Sequence, residues 1–268
     1  MKFGCRLAIS LIIFLFERQN LVHAATLREA TTVTCSEGHT ETVDLRSTER
    51  LAGASGEARL ERNGRSTDIE VEIRAMRPAS LFGGDYNTYV LWIVSPDRQM
   101  VNLGELLLEG NRSRIHSTTR LTTFAILITA EPHYLASTPS AFVVLENKPN
   151  KRSSRIQHPV VEGVYNFQRS NLDDVKEAKG KVHTEVKQAF TAFRLAERAG
   201  AADFATYELR LAGRSLDETL HLSHTGIHRN EIEAQARHTV RLAVAAQHLA
   251  QDRTERSIRE VTGNSSRY

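Results

Sequence analysis

Cysteine is nearly missing from this chain: there are two in 268 residues, Cys5 and Cys35. A disulfide-stapled scaffold is excluded, and once an N-terminal leader is removed Cys35 has nothing to bridge to. No basic residue or helix start adjoins it in sequence, so an inert thiol is expected rather than a nucleophile. Aromatic residues are sparse at 6%, with one tryptophan, Trp92. No apolar run reaches the roughly 20 residues that a membrane-crossing helix needs. A strong charge of one sign is lacking too. The net charge is +3, and Lys2, Arg6 and Arg18 against Glu17 account for two of those three units. The near-neutral remainder has no electrostatic footprint for nucleic acid. G-x-S-x-G, H-E-x-x-H and P-loop motifs are all absent, which removes the commonest hydrolase, metalloprotease and nucleotide-binding signatures.

What is present begins with an export pattern. Lys2 and Arg6 precede an apolar run at residues 7–16, Glu17 and Arg18 end it, and Val22-His23-Ala24 follows. A basic n-region, a short apolar core and a small-residue cleavage site predict a signal peptide over residues 1–24, cut after Ala24. The expected location is periplasmic or secreted. Cys5 precedes the apolar run and Cys35 lies far beyond it, so no lipoprotein anchor is expected.

The rest divides by pattern. Residues 25–54, polar and rich in Thr and Glu, read as a flexible lead-in with one candidate strand at residues 31–35. Residues 55–147 read as strands. Arg62-Asn63-Gly64-Arg65 is a hairpin turn by composition; pairing Arg62 with Arg65 sets Leu60 opposite Thr67 and Ala58 opposite Ile69. Three later runs, residues 89–94, 124–128 and 142–145, are apolar on both faces, as in strands covered on both sides. About seven short strands at regular spacing predict an immunoglobulin-like antiparallel β-sandwich. Residues 148–170 read as a basic linker. Residues 171–257 carry apolar residues at steps of three or four: Val186, Ala189 and Phe193, then Leu209, Ala212 and Leu216, then Ile232, Ala236 and Val240. An antiparallel three-helix bundle is expected there, its first helix stopped at Gly200. Residues 258–268 are expected to be a disordered tail. The expected fold class is thus multidomain, β followed by α.

Two stretches resemble known families. The joint from Ala196-Glu197 through Ala199-Gly200-Ala201 to Phe204-Ala205, with Leu209, Ala212, Leu216 and Ala234-Gln235-Ala236-Arg237, resembles a helical domain-of-unknown-function family of bacterial envelope proteins. That family often stands upstream of an OmpA-like peptidoglycan-binding domain. The β part is similar to the extracytoplasmic sandwich of membrane-bound anti-sigma factors, through Thr88-Tyr89-Val90-Leu91-Trp92, Asn102-Leu103-Gly104-Glu105-Leu106, residues 124–132 and Pro139-Ser140. Both resemblances imply the bacterial envelope and neither supplies an activity. No sigma-binding segment or OmpA-like domain follows, so neither sigma regulation nor direct peptidoglycan contact is expected.

Candidate sites follow from the leftovers. The surplus of apolar residues on the strands calls for a cover, which makes Tyr89, Trp92 and Phe124 candidates for binding a partner: another envelope protein or a second copy. His221, His224 and His228 cluster at a helix end and are the candidate metal ligands of a runner-up reading, a metal- or small-ligand-binding module. Glu131-Pro132-His133 with Ser137 and Ser140 supports a third-ranked reading, a periplasmic hydrolase. No cofactor is expected, and the first-ranked reading is a non-enzymatic interaction or scaffold protein.

Overall fold

The computed structural model describes residues 25–83, 85–161, 183–225 and 228–265. The expected signal peptide, residues 162–170 of the expected linker and the start of the expected first helix lie outside them.

Eleven strands are formed by the described residues. They are β1 (Ala25–Thr31), β2 (Val33–Thr34), β3 (Thr40–Ser47), β4 (Ser55–Asn63), β5 (Ser66–Arg74), β6 (Thr88–Val94), β7 (Met100–Glu105), β8 (Ser113–Thr119), β9 (Thr123–Glu131), β10 (Val143–Asn147) and β11 (Arg155–Val161). Nine belong to one antiparallel sheet, ordered β7-β6-β9-β10-β3-β4-β5-β8 with β2 beside β9. The sheet curls until its two ends approach: a Cβ placed on Gly104 of β7 would stand 3.0 Å from Ile115 Cδ1 of β8. The β part is therefore a nearly closed, sandwich-like barrel with a single filled interior.

Period-two alternation decides which residues fill it. In β5, Thr67, Ile69, Val71 and Ile73 point inward and are buried, while Asp68, Glu70 and Glu72 alternate outward. The β4–β5 hairpin closes with Asn63 opposite Ser66, so Leu60 meets Ile69 and Ala58 meets Val71. The turn residues are Gly64 and Arg65, and of the two only Gly64 has a left-handed φ, 59°. Glycine at the first central position is the type II′ requirement, whereas the expected Asn-Gly turn would be type I′. The observed register is displaced by two residues from the expected one. A two-residue slip keeps every side chain on its face, so hydrophobic pattern alone cannot detect it.

The expected lead-in forms strands. β1 pairs along its whole length with β11, Ala25 opposite Val161 and Thr31 opposite Arg155, making a two-stranded ribbon from the expected lead-in and the expected linker. The reason is burial. β6 and β9 are apolar on both faces: Leu91, Ile93, Phe124, Ile126 and Ile128 fill the interior. Val90, Trp92, Val94, Ala125 and Leu127 project outward, with Val143, and pack against Ala30 and Ile156 of the ribbon. Each valine or leucine so removed from water stabilises by ~1.5–3 kcal/mol. The same residues left open would be an aggregation-prone patch.

The C-terminal part is helical: α1 (Thr184–Arg198), α2 (Ala201–Phe204), α3 (Thr206–Thr225) and α4 (Arg229–Ser265). Gly200 takes the expected left-handed conformation, φ 82°, and a one-turn α2 is inserted before α3, giving four helices instead of three among the described residues. α4 runs through the expected disordered tail to Ser265. No proline or glycine interrupts residues 251–262, and Glu255 pairs with Arg259 one turn on at 3.1 Å, which supports an exposed helix modestly. Small residues bring α3 and α4 close: Ala212, Ala236 and Ala243 are fully buried, and Ser215 and Thr219 each lie 2.8 Å, Oγ to Oγ1 or Oγ1 to Oγ1, from Thr239. Alanines bury little area, so this core is thin. Tyr86, Tyr134 and Leu135 of the β part pack against it and enlarge it.

Candidate functional site

The candidate partner-binding residues are core residues. Tyr89, Trp92 and Phe124 are 1%, 0% and 0% exposed. Tyr89 and Phe124 fill the barrel interior, and the Tyr89 hydroxyl donates to the Arg77 carbonyl at 2.6 Å. Trp92 lies under the ribbon, its indole N–H donating to Thr129 Oγ1 at 2.8 Å. The cover that the apolar surplus demanded comes from the chain itself, so the partner-binding assignment of these three residues is withdrawn.

His221 and His224 are exposed on the last turns of α3, and His228 is exposed just before α4. Among the described residues no three His, Cys, Asp or Glu side chains are placed to hold a metal ion. A helix C-terminus favours histidine through its dipole without any ligand. Cys35 is buried, and burial, with Glu41 nearby, pushes its thiol up to about 11.

Of the residues of the hydrolase reading, Glu131, His133 and Ser140 are buried, Ser137 is exposed, and only Glu131 and Ser140 are bonded to each other. Glu131 is fully buried; its Oε1 accepts from the Ser140 backbone N–H at 2.7 Å and from the Thr129 hydroxyl, while Oε2 has no partner. Burial pushes this carboxyl up to about 8 against those donors. The Ser140 hydroxyl donates to the Ala130 carbonyl at 2.8 Å and accepts from the Phe142 N–H at 3.1 Å. Ser140 is a turn-holding residue in this arrangement. His133 is buried, and desolvation, reinforced by His248 nearby, lowers it to about 4. A protonatable carboxylic acid and a neutral imidazole are thus stored beneath the surface of the β9–β10 connection.

An open groove of about 420 Å³ lies between the ribbon and the β6–β7 turn, lined by Glu29, Pro96, Arg98, Arg155, Ile156 and Gln157. Arg155 and Glu29 pair on its ribbon wall at 3.2 Å.

The densest polar constellation is one that sequence reading misses: the junction between barrel and helices. Its centre is Glu105, whose side chain is 5% exposed. Glu105 Oε1 accepts from the Thr88 hydroxyl at 2.6 Å and from Gln188 Nε2 of α1 at 2.7 Å. Oε2 accepts from Arg237 Nη2 of α4 at 2.6 Å. Gln188 Oε1 accepts the Tyr134 backbone N–H at 2.9 Å, and the Arg237 guanidinium lies 4.7 Å above the Tyr134 ring centre. Asn87 ties Thr191 of α1 to the β9–β10 connection, donating to Thr191 Oγ1 at 3.1 Å and to the Pro132 carbonyl at 2.9 Å.

A β-bulge positions Glu105. The β6–β7 register shifts between Leu91, opposite Gly104, and Trp92, opposite Asn102. An unbroken register would set Glu105 opposite Tyr89, on the apolar interior face. The extra residue sets it opposite Val90, on the outer face where the helices dock, as bulges commonly re-aim a side chain. Gly104 has φ 129°, open to glycine. On the helical side, Glu185, Gln188 and Thr191 recur every three residues on α1 and are all buried. This is a polar stripe that turns inward. The available signal was that recurrence together with Tyr134-Leu135 in a loop, and neither identifies its counterpart.

Compared with known proteins, the chain matches no family model, no curated sequence and no solved structure.

Proposed function

We propose that this chain is a non-enzymatic scaffold of the bacterial envelope. It would be exported by the leader at residues 1–24, with an immunoglobulin-like sandwich module as base and the helices as the part that engages another envelope protein or a second copy. The observation that carries this reading is the shape of α4. Its first half is built into the bundle through Ile232, Ala236, Val240 and Ala243. Residues 251–260 stand exposed on nearly every side, with Thr254 alone half-buried. Arg253 anchors this stretch by donating to the Phe204 carbonyl at 2.6 Å. Ile258 of α4, Phe204 of α2 and Tyr207 of α3 are exposed. A long helix held at one end and free at the other is suited to docking rather than to turnover. The families that the sequence resembles point to the same compartment. The buried placement of Glu131, His133 and Ser140 supports the non-enzymatic choice, since groups that act on substrate must meet it.

The test is a photo-crosslinking residue at position 258 of the full chain, expressed in cells and compared with the same residue at Asp44 on the barrel. A discrete adduct from position 258, with none from position 44, is the expected result. Equal labelling at both, together with a purified chain that stays monomeric by light scattering, defeats the reading.

A further inference from the structure

The junction holds more negative charge than it pairs. Three carboxylates lie within electrostatic reach of one another there: Glu105 from β7, Glu233 from α4, and Glu185 from the first turn of α1, one turn before the Gln188 that bonds Glu105. Two guanidiniums face them, both from α4. Arg237 is bonded to Glu105 at 2.6 Å and Arg229 to Glu233 at 2.5 Å. Glu185 is 7% exposed, and its Oε2 has no hydrogen-bond partner. His183, just before the helix, and Lys187 on it stand two residues to either side, and Tyr134 faces the cluster from the β9–β10 connection.

We propose that the junction between barrel and helices is a carboxylate latch, closed while Glu185 is protonated and loosened when it ionises. An unpaired buried carboxyl is tolerated as the neutral acid and is costly as the anion. Ionisation here would also add a third negative charge beside two others. Burial is the largest influence raising the Glu185 carboxyl above its ordinary value, and Glu233 and Glu105 push the same way, while a hydrogen bond from its own backbone N–H, and more weakly Arg229, oppose. The sign follows. A group that binds its proton more tightly in the closed state favours closure at low pH. That preference is full below the carboxyl's value in the open state and is lost as pH rises through its value in the closed state. Within that interval the closing equilibrium weakens by up to tenfold per pH unit.

The Tyr134 amide reports the latch directly, because its N–H is held across the junction by Gln188 Oε1. The Ile126 amide, bonded to Asn147 Oδ1 inside the barrel at 2.8 Å, reports global opening. Hydrogen exchange of the full chain, expressed as protection relative to free-chain rates, should show Tyr134 losing protection with rising pH beyond any loss at Ile126. Glu185→Gln should remove that excess loss. Glu233→Gln takes away one repelling charge and frees Arg229, so it should make the excess loss end at a lower pH; it carries the test if Glu185→Gln does not fold. Tyr134 tracking Ile126 at every pH, or an excess loss that survives Glu185→Gln, overturns the proposal.

Discussion

Glu131 and His133 lie two residues apart, both buried, with titrations displaced in opposite senses, and together they set a pH profile for the fold. The Glu131 carboxyl moves from its ordinary 4.5 up to about 8. The folded state therefore holds a proton that the unfolded chain releases, and stability falls as pH rises across that interval. The His133 imidazole moves from 6.5 down to about 4. There the unfolded chain holds the extra proton, and stability falls as pH drops across that interval. Between 4.5 and 6.5 the two slopes cancel. Above 6.5 the Glu131 slope acts alone, worth about 1.4 kcal/mol per pH unit at most, until it ends near 8. From these two groups we predict maximum stability in mildly acidic solution. Glu131→Gln should leave the acid slope and abolish the alkaline one, moving the optimum above 6.5. Urea unfolding followed by Trp92 emission from pH 4 to 9 checks this; a variant whose alkaline slope equals the wild type's contradicts it.

Elements were legible from sequence where a local pattern sufficed. β5, β6 and β9, the Gly200 stop and the apolar faces of α1, α3 and α4 follow from periodicity and glycine alone. The hairpin register differs from the expected one by two residues because faces, not partners, are what alternation encodes. The ribbon was missed for a physical reason: β1 is largely polar and one-sided, and its stability comes from a partner more than a hundred residues away and from the outer face of β6 and β9. Its contribution can be measured. Deleting residues 25–31 should expose Val90, Trp92, Val94 and Leu127, raising binding of an apolar dye and driving association in light scattering; an unchanged monomer with no added dye binding would show the ribbon to be dispensable. The β7 bulge is the other element that sequence did not disclose. Gly104→Ala places a Cβ at φ 129° and 3.0 Å from Ile115 Cδ1, so we expect a loss of about 1–3 kcal/mol in urea unfolding. Tyr134 amide protection should fall further than Ile126 protection, because the bulge also aims Glu105.

Over the whole molecule, two thin structures support each other. The bundle's alanine core buries little and gains Tyr86, Tyr134 and Leu135 from the barrel, while the barrel's outer face gains cover from ribbon and helices. None of this pairing was legible in the sequence, since Glu105 and Arg237 are 132 residues apart and each reads locally as an ordinary surface charge. Their pair is not by itself a strong source of stability. Desolvating the carboxylate offsets much of the attraction to a guanidinium, and Arg237 keeps 30% of its side chain exposed. Losing one partner is a different matter. Arg237→Ala leaves the Glu105 carboxylate buried with only neutral donors, Thr88 and Gln188, at a cost of about 2–4 kcal/mol, below or within the range for fully buried pairs because water can reach the vacated place. Glu105→Gln keeps the neutral donors and strands only a half-exposed cation, so its cost should be smaller, about 1–2 kcal/mol. The double variant removes the stranded charge in both cases and should lose less than the sum of the singles by at least ~1 kcal/mol. Thermal unfolding of the four chains, read together with Tyr134 amide protection, measures that coupling. Strict additivity would mean that Glu105 and Arg237 do not act as a pair, and that the helices are held to the barrel by the Asn87–Thr191 and Gln188–Tyr134 contacts and by apolar packing alone.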